Sequence, residues 1–372
     1  MAINTSTTFG TDAQQTMHDK ILAKIVDTVR VHNPLLAIAL SKQERFSGKQ
    51  YRVALKYKDT GQGGSFSGLD VFDTNKIDTR VSALFDPRFY YQSVVLEGTE
   101  LSMSQTAGNV VDYKMSKIEE ATQEMADGVG NLLHGDGTAN SNKAFLGLIA
   151  GASDDGVVAT YGGLSRSTYA DVWEGDVDDT VYTTGGTKYA LTNLDTSIDA
   201  ASEGQYRPDL ILTSNEVFNI LRALMPTPTL NYNPGTASDI QTTPGRENAM
   251  TAYAGYEKIF YRGISVVKDS KMSGTTNTGG APNDYLFVLN TDTWVFPTVD
   301  IANSEAMSVM TNNFEGGYDV MGGGVNQLAP GFYMTDFVKP SNQFGMIAQI
   351  IMGGNLICKN PRYNAMATSI NG

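Results

Sequence analysis

The stretch IIMGGNLICKNPRYNAM, residues 350–366, contains the only cysteine of the chain. A thiol becomes a nucleophile or a metal ligand when a base, a second thiol or a histidine stands beside it. Cys358 has no second cysteine to pair with, and the nearest histidine in sequence, His134, is more than two hundred residues away. Nothing there resembles a disulfide, a zinc knot or a Cys–His pair, so residues 350–366 read as closing strands of a sheet. The other histidines, His18 and His32, lie in the first tenth of the chain. His134 follows a long helical pattern, where the negative end of the helix dipole favours an imidazolium and a structural role.

Two acidic stretches, EGDVDDT and SDDG, gather carboxylates but lack the alternating Asp ladder, central glycine and closing Glu of a calcium loop. The glycine-rich stretches TGQGG and MGGGV lack the Lys-Ser or Lys-Thr of a phosphate loop. They read as flexible loops. No Ser–His–Asp set and no isolated pair of carboxylates emerges from the spacing. The sequence therefore assigns no catalytic residue, no cofactor site and no metal site, and the expectation is a protein that is not an enzyme.

If no side chain carries the chemistry, the work must be done by shape. The chain has 372 residues, 41% of them hydrophobic and 18% charged, which is enough to bury one large core or two ordinary ones. A net charge of -13 excludes a broad basic footprint for nucleic acid, so contact with a polyanion must be local. One free cysteine suits a reducing compartment. No run of 18 apolar residues occurs, and the polar start MAINTSTTFGTDAQQ lacks the blocks of a signal peptide. The expectation is a soluble protein made in the cytoplasm, with no membrane partner.

The order of elements is unusual. MHDKILAKIVDTVRVHN spaces Met17, Ile21, Ile25 and Val29 for a short amphipathic helix, and Asn33-Pro34 reads as its stop. Lys20, Lys24 and Arg30 lie on that helix, interrupted by Asp19 and Asp27, and read as a solvated face. Tyr51, Val53, Leu55 and Tyr57 then alternate with Arg52, Lys56 and Lys58 before four glycines between Gly61 and Gly68, the pattern of a long hairpin with a glycine-rich tip. The chain returns through Ile77, Thr79 and Val81, and RFYYQSVVLEG forms a further strand. From Val111 to Gly135 a helix of about six turns, roughly 35 Å, places Val111, Met115, Ile118, Thr122, Met125, Val129 and Leu132 on one face.

The texture changes near Gly151, where a domain boundary is expected. LTNLDTSIDAASEG reads as a helix. PDLILTSNEVFNILRAL reads as a buried strand, Leu210 to Leu212, an N-cap at Ser214 and a helix to Leu224. Strands follow at residues 264–268, 285–289, 293–296, 332–337, 345–352 and 356–358. The fold class is α+β, and no internal repeat emerges.

This order resembles the tailed-phage major capsid proteins of the Hong Kong 97-like capsid fold. The resemblance covers nearly the whole chain and rests on HGDGTANSNKAFLGLI after the long helix, DLILTSNEVFNIL at the strand–helix junction, YRGISVVKD and the closing GGNLICKNPRYNAM. It implies an N-terminal arm (1–49), an extended β-hairpin loop (50–96), a peripheral domain with a long spine helix and sheet (97–150 and 331–372) and an α/β axial domain (151–330). It further implies a homo-oligomer of hexamers and pentamers closing an icosahedral shell in the virion, assembled in the host cytoplasm. The implied partners are packaged double-stranded DNA, a portal protein and separate scaffolding or decoration proteins. A chain that starts at Met1 leads to the expectation that no N-terminal scaffolding segment is removed.

Some members of that family join subunits by an isopeptide bond between a loop Lys and a neighbour's Asn. Here Lys56, Lys58 and Lys76 lie on the loop and Asn355, Asn360 and Asn364 near the chain end, and the preferred reading is that these lysines make intersubunit ion pairs. Two rival functions stand beside the capsid reading. One is an encapsulin-like nanocompartment of the same fold; the other is an α/β enzyme with a β-rich accessory domain.

Overall fold

The structure is a computed structural model that describes residues 33–72, 74–106, 113–183, 185–225, 258–272, 281–299, 326–329, 332–335, 337–341 and 343–370. The expected arm helix, with His18, Lys20, Lys24, Arg30 and His32, lies outside the described residues, as does MGGGV. The chain divides into two compact units, one including Phe89–Val129 and Val299–Gly353, the other including His32–Arg88, Gly130–Thr298 and Gly354–Gly372.

In the first unit, the strand Arg88–Glu97 pairs with Gly345–Gly354, which pairs in turn with Phe332–Met334, and Asn326–Ala329 closes that side. The long helix runs from Tyr113 to Leu132, about 30 Å at helical rise. Its buried stripe is Ala121, Met125 and Val129, continued by Leu133 just past the helix end. The expected face ended on Leu132, which is only half-buried. A spacing of four carries the stripe to 133, where the three-residue step of the expected pattern ended it one residue early. A helix at Gly98–Thr106 has no counterpart in the sequence reading, because GTELSMSQT carries no apolar stripe.

The second unit holds a six-stranded sheet ordered Asp176–Asp178, Ala365–Ala367, Leu286–Leu289, Leu210–Thr213, Ile264–Lys268, Lys258–Tyr261. Leu210–Thr213 is buried at every position and lies parallel to Ile264–Lys268 and antiparallel to Leu286–Leu289, which is why it reads as an unbroken apolar run. The helices Leu191–Ala200 and Asn215–Leu224 bury Leu194, Ile198, Val217, Phe218 and Leu221 in a core shared with Ile211, Val266 and Val288. Ser214 caps the second helix by accepting from the Val217 amide at 3.2 Å, as the sequence led one to expect.

The strand Ala365–Ala367 pairs with Leu286–Leu289 and Asp176–Asp178, so this late segment belongs to the same sheet.

Asn33-Pro34 starts a helix; the arm helix it was expected to stop lies outside the described residues. Asn33 Oδ1 accepts from the Leu36 amide at 3.0 Å and Pro34 opens the helix Pro34–Ser41. Proline lacks the N–H that the first helical turn cannot use, and its fixed φ suits that position, so the same dipeptide that ends one helix begins another.

Candidate functional site

The chemistry-bearing residues are explained by packing. Cys358 is fully buried in the strand Ile357–Cys358, paired with Trp294, and burial pushes its thiol up to about 12. A thiol protonated at neutral pH is a poor nucleophile. Beside it sits Asn364, also fully buried. The Asn364 Nδ2 amide donates to Thr293 Oγ1 at 3.0 Å, to the Asn360 carbonyl at 3.1 Å and toward Cys358 Sγ at 3.3 Å. Its Oδ1 accepts from the Asn290 amide at 3.0 Å and from Trp294 Nε1 at 2.9 Å. Every hydrogen-bonding position of this amide is used inside one subunit. The sequence reading did not single out this network; the signal was a polar residue flanked by apolar strand positions.

The other two asparagines near the chain end differ. Asn355 is buried, accepting from the Leu146 amide at 2.7 Å and donating to the Asp86 carbonyl at 3.1 Å. Asn360 precedes the 3-10 turn Pro361–Tyr363. Within the subunit the loop lysines meet residues of their own hairpin: Lys56 pairs with Asp59, Lys76 with Asp78 at 3.6 Å, and Lys58 lies over the Tyr57 ring at 5.2 Å. Residues three or fewer apart meet at little entropic cost.

His134 is fully buried, with Nε2 3.0 Å from Asp269 Oδ2 and Nδ1 2.8 Å from the Gly130 carbonyl. It ties the end of the long helix to the turn after Ile264–Lys268, a structural role. In the acidic stretches, Asp154 accepts from the Val157 amide at 3.0 Å and Asp178 from the Thr180 amide at 3.1 Å, the work of ordinary turns. Burial, with Asp178 and Asp154 nearby, raises the pKa of Asp176. Among the described residues no group of three or more His, Cys, Asp or Glu is placed to hold a metal ion.

What remains without an internal explanation is the outer part of the hairpin. Tyr51–Lys56 and Arg80–Phe85 pair in register from Tyr51↔Phe85 to Lys56↔Arg80. Beyond them the chain is extended and exposed, and its tip presents apolar side chains to water. Leu69 is fully exposed, Val71 is 96% exposed, and Phe66 and Phe72 meet edge to face at 5.2 Å while each stays more than 60% exposed. Water-exposed apolar clusters on a projecting element mark surfaces that a partner covers. TGQGG lies in this segment with no contact that would make it a phosphate cradle; Gly61, Gly63 and Gly64 have open space around them.

The base of the hairpin, by contrast, packs against its own subunit. Val53, Ala83 and Phe85 are buried, Phe85 stands edge-on to Tyr161 at 4.9 Å, and the Leu84 amide donates to the Gly162 carbonyl at 2.8 Å. The alternation in YRVALK signalled one apolar face; which surface it met could not be read locally.

No protein-family model matches the chain, and no curated protein matches it. Solved structures do match along its length. The capsid asymmetric unit of cyanophage A-1(L) superposes with a TM-score of 0.66 at 17% identity, covering 96% of this chain and 98% of that one. The capsid of an empty GTA particle gives a TM-score of 0.53 at 8% identity, covering 99% of each. The SrpI encapsulin complex of Synechococcus elongatus gives 0.52 at 12% identity, covering 96% and 94%. The chain has the Hong Kong 97-like fold that these shell proteins share.

Proposed function

We propose that this chain is the major capsid protein of a tailed phage, self-assembling into hexamers and pentamers of an icosahedral shell around double-stranded DNA. The observation that carries the reading is a shell-protein fold spanning nearly the entire chain, with a projecting hairpin whose apolar tip has no partner on its own hairpin strands. A two-stranded ribbon is marginal in water by itself, so its distal part gains order when a neighbouring copy covers it. Rings built from one kind of contact need it to be heterologous and to close.

On this reading residues 1–49 form the arm, 50–96 the extended loop, 97–150 and 331–372 the peripheral domain, and 151–330 the axial domain, with Ala365–Ala367 returning to the axial sheet. The portal, scaffolding and decoration proteins belong to the same proposal. The net charge of -13 suits a wall that encloses a polyanion without gripping it, because each phosphate contact would add a salt-dependent hold opposing release.

The test is electron microscopy of the purified protein, with closed particles of uniform diameter expected. A monomer in size-exclusion chromatography at every concentration would reject the proposal. The encapsulin likeness favours one second reading, a nanocompartment enclosing a protein cargo. Particles isolated from the native source separate the two: nuclease-protected double-stranded DNA supports the capsid, and a co-purifying cargo enzyme supports the compartment.

A further inference from the structure

The hairpin base and the short ribbon Thr160–Tyr161/Leu164–Ser165 form one packed assembly within the second unit. The Leu84 amide donates to the Gly162 carbonyl at 2.8 Å, which attaches the returning strand to the turn of the ribbon. Gly162 has φ +58, and a Cβ there would lie 2.6 Å from the Phe85 ring and 2.9 Å from the Ala83 Cβ. Only glycine combines that backbone with that approach. Phe85, Tyr161 and Trp173 pack in sequence, edge to face at 4.9 Å and tilted at 5.4 Å between rings, and Trp173 Nε1 donates to the Tyr161 carbonyl at 2.9 Å.

Beneath them Arg166 is fully buried with its guanidinium over the Tyr161 ring at 5.1 Å, and Nη2 donates to the Ala150 carbonyl. Its Nε and Nη1 have no partner among the described residues, a costly arrangement for a buried cation. Farther out, Tyr57 meets Tyr169 edge to face at 5.2 Å and its amide donates to the Thr79 carbonyl at 3.0 Å.

We infer that this ribbon is a saddle that sets the direction in which the extended loop leaves its own subunit, with Gly162 and Arg166 as positioning residues. The hairpin strands are aimed before assembly, and only the tip awaits a neighbour. This rests on the shell reading for its consequence, since a preset angle limits which copy the tip can reach, but its geometry belongs to the single subunit. A hairpin free to swing would have to be ordered twice, at its base and at its tip. Here the first ordering belongs to folding.

Pulsed spin-label distances on unassembled subunits test the inference. One label pair joins Ala54→Cys on the hairpin strand to Lys188→Cys on the body; a second joins Leu69→Cys at the tip to the same body site. Cys358 is buried and unreactive, so labels go to the introduced thiols. The Ala54 distribution is expected to be narrower than the Leu69 distribution by about threefold, and Gly162→Ala to widen the Ala54 distribution toward that of the tip. If Gly162→Ala does not fold, Tyr57→Ala, which removes the edge contact with Tyr169 together with the hydroxyl's bond to the Asp78 carbonyl and the Lys58 contact, should widen it to a lesser degree. Equal widths for the two pairs in the parent protein, or no widening in a folded Gly162→Ala, would overturn the saddle. The shell reading is scored apart from this, by whether the parent protein forms particles in micrographs.

Discussion

Two regions of this molecule invert the usual placement of polar and apolar groups, in opposite senses. Around Asn364 a polar network lies fully buried between strands, joining Asn290, Thr293, Trp294 and Cys358. At the hairpin tip Phe66, Leu69, Val71 and Phe72 lie in water. The buried network is satisfied within one chain, so it stabilises a particular packing of that chain. The exposed cluster is satisfied by nothing on its own hairpin strands, so its free energy is released only on contact with something else. On the proposed shell reading, the difference separates residues that specify the subunit from residues that specify its association.

Charge at the tip breaks this comparison most sharply. Leu69→Asp with Phe72→Asp should leave the melting temperature of the subunit unchanged while abolishing particles in sedimentation and micrographs, because a desolvated carboxylate opposes burial in an interface. Particles of normal yield would mean that the tip faces solvent in the assembly.

Asn364→Leu tests the other region. The Asn290 amide and Trp294 Nε1 would each lose a buried acceptor, a cost of about 1–3 kcal/mol apiece, so a loss of about 2–6 kcal/mol is expected in urea denaturation. Met125→Asp should act similarly in the first unit, by several kcal/mol, since Met125 has no exposed surface.

Proteolysis sharpens the boundary between the ordered base and the tip. In unassembled protein the first cut should fall within residues 58–79, beyond the saddle, and the same segment should resist in particles. Mass spectrometry of the first fragment decides; a first cut within Tyr51–Lys56 or Arg80–Phe85 would show that the base opens as readily as the tip.

The smallest effect is expected at Cys358. Cys358→Ala should cost about 1 kcal/mol and leave assembly intact. Because burial raises the folded thiol to about 12, its stabilising contribution is complete below the ordinary thiol pKa and is lost as pH rises toward 12. Through that window the parent protein should lose stability with rising pH relative to Cys358→Ala, on the order of 1 kcal/mol per pH unit, in denaturation measured at each pH. Rapid labelling of the native thiol at neutral pH would contradict its burial.

Local patterns carried far in this chain. The alternation in YRVALK, the apolar run at Leu210–Thr213 and the cap at Ser214 were legible because each depends on neighbours within a few residues, where period and capping chemistry are written directly in residue type. The interpretation of Cys358 followed from the absence of any companion residue. The order of these elements was enough for the resemblance to a shell-protein fold, although no single motif was specific.

Tertiary structure alone decided what each face meets. Asn33-Pro34 could end one helix or begin the next, and the strand Ala365–Ala367 could have joined any sheet. Asn364 became a hub through partners about seventy residues away, and Gly162 became irreplaceable because Phe85 and Ala83, at the base of a hairpin much earlier in the chain, press on it. Periodicity says that a face is apolar, but it does not name the surface that covers it. That choice is made by contacts between distant segments, whose free energy exists only once the chain has closed the loops that bring them together.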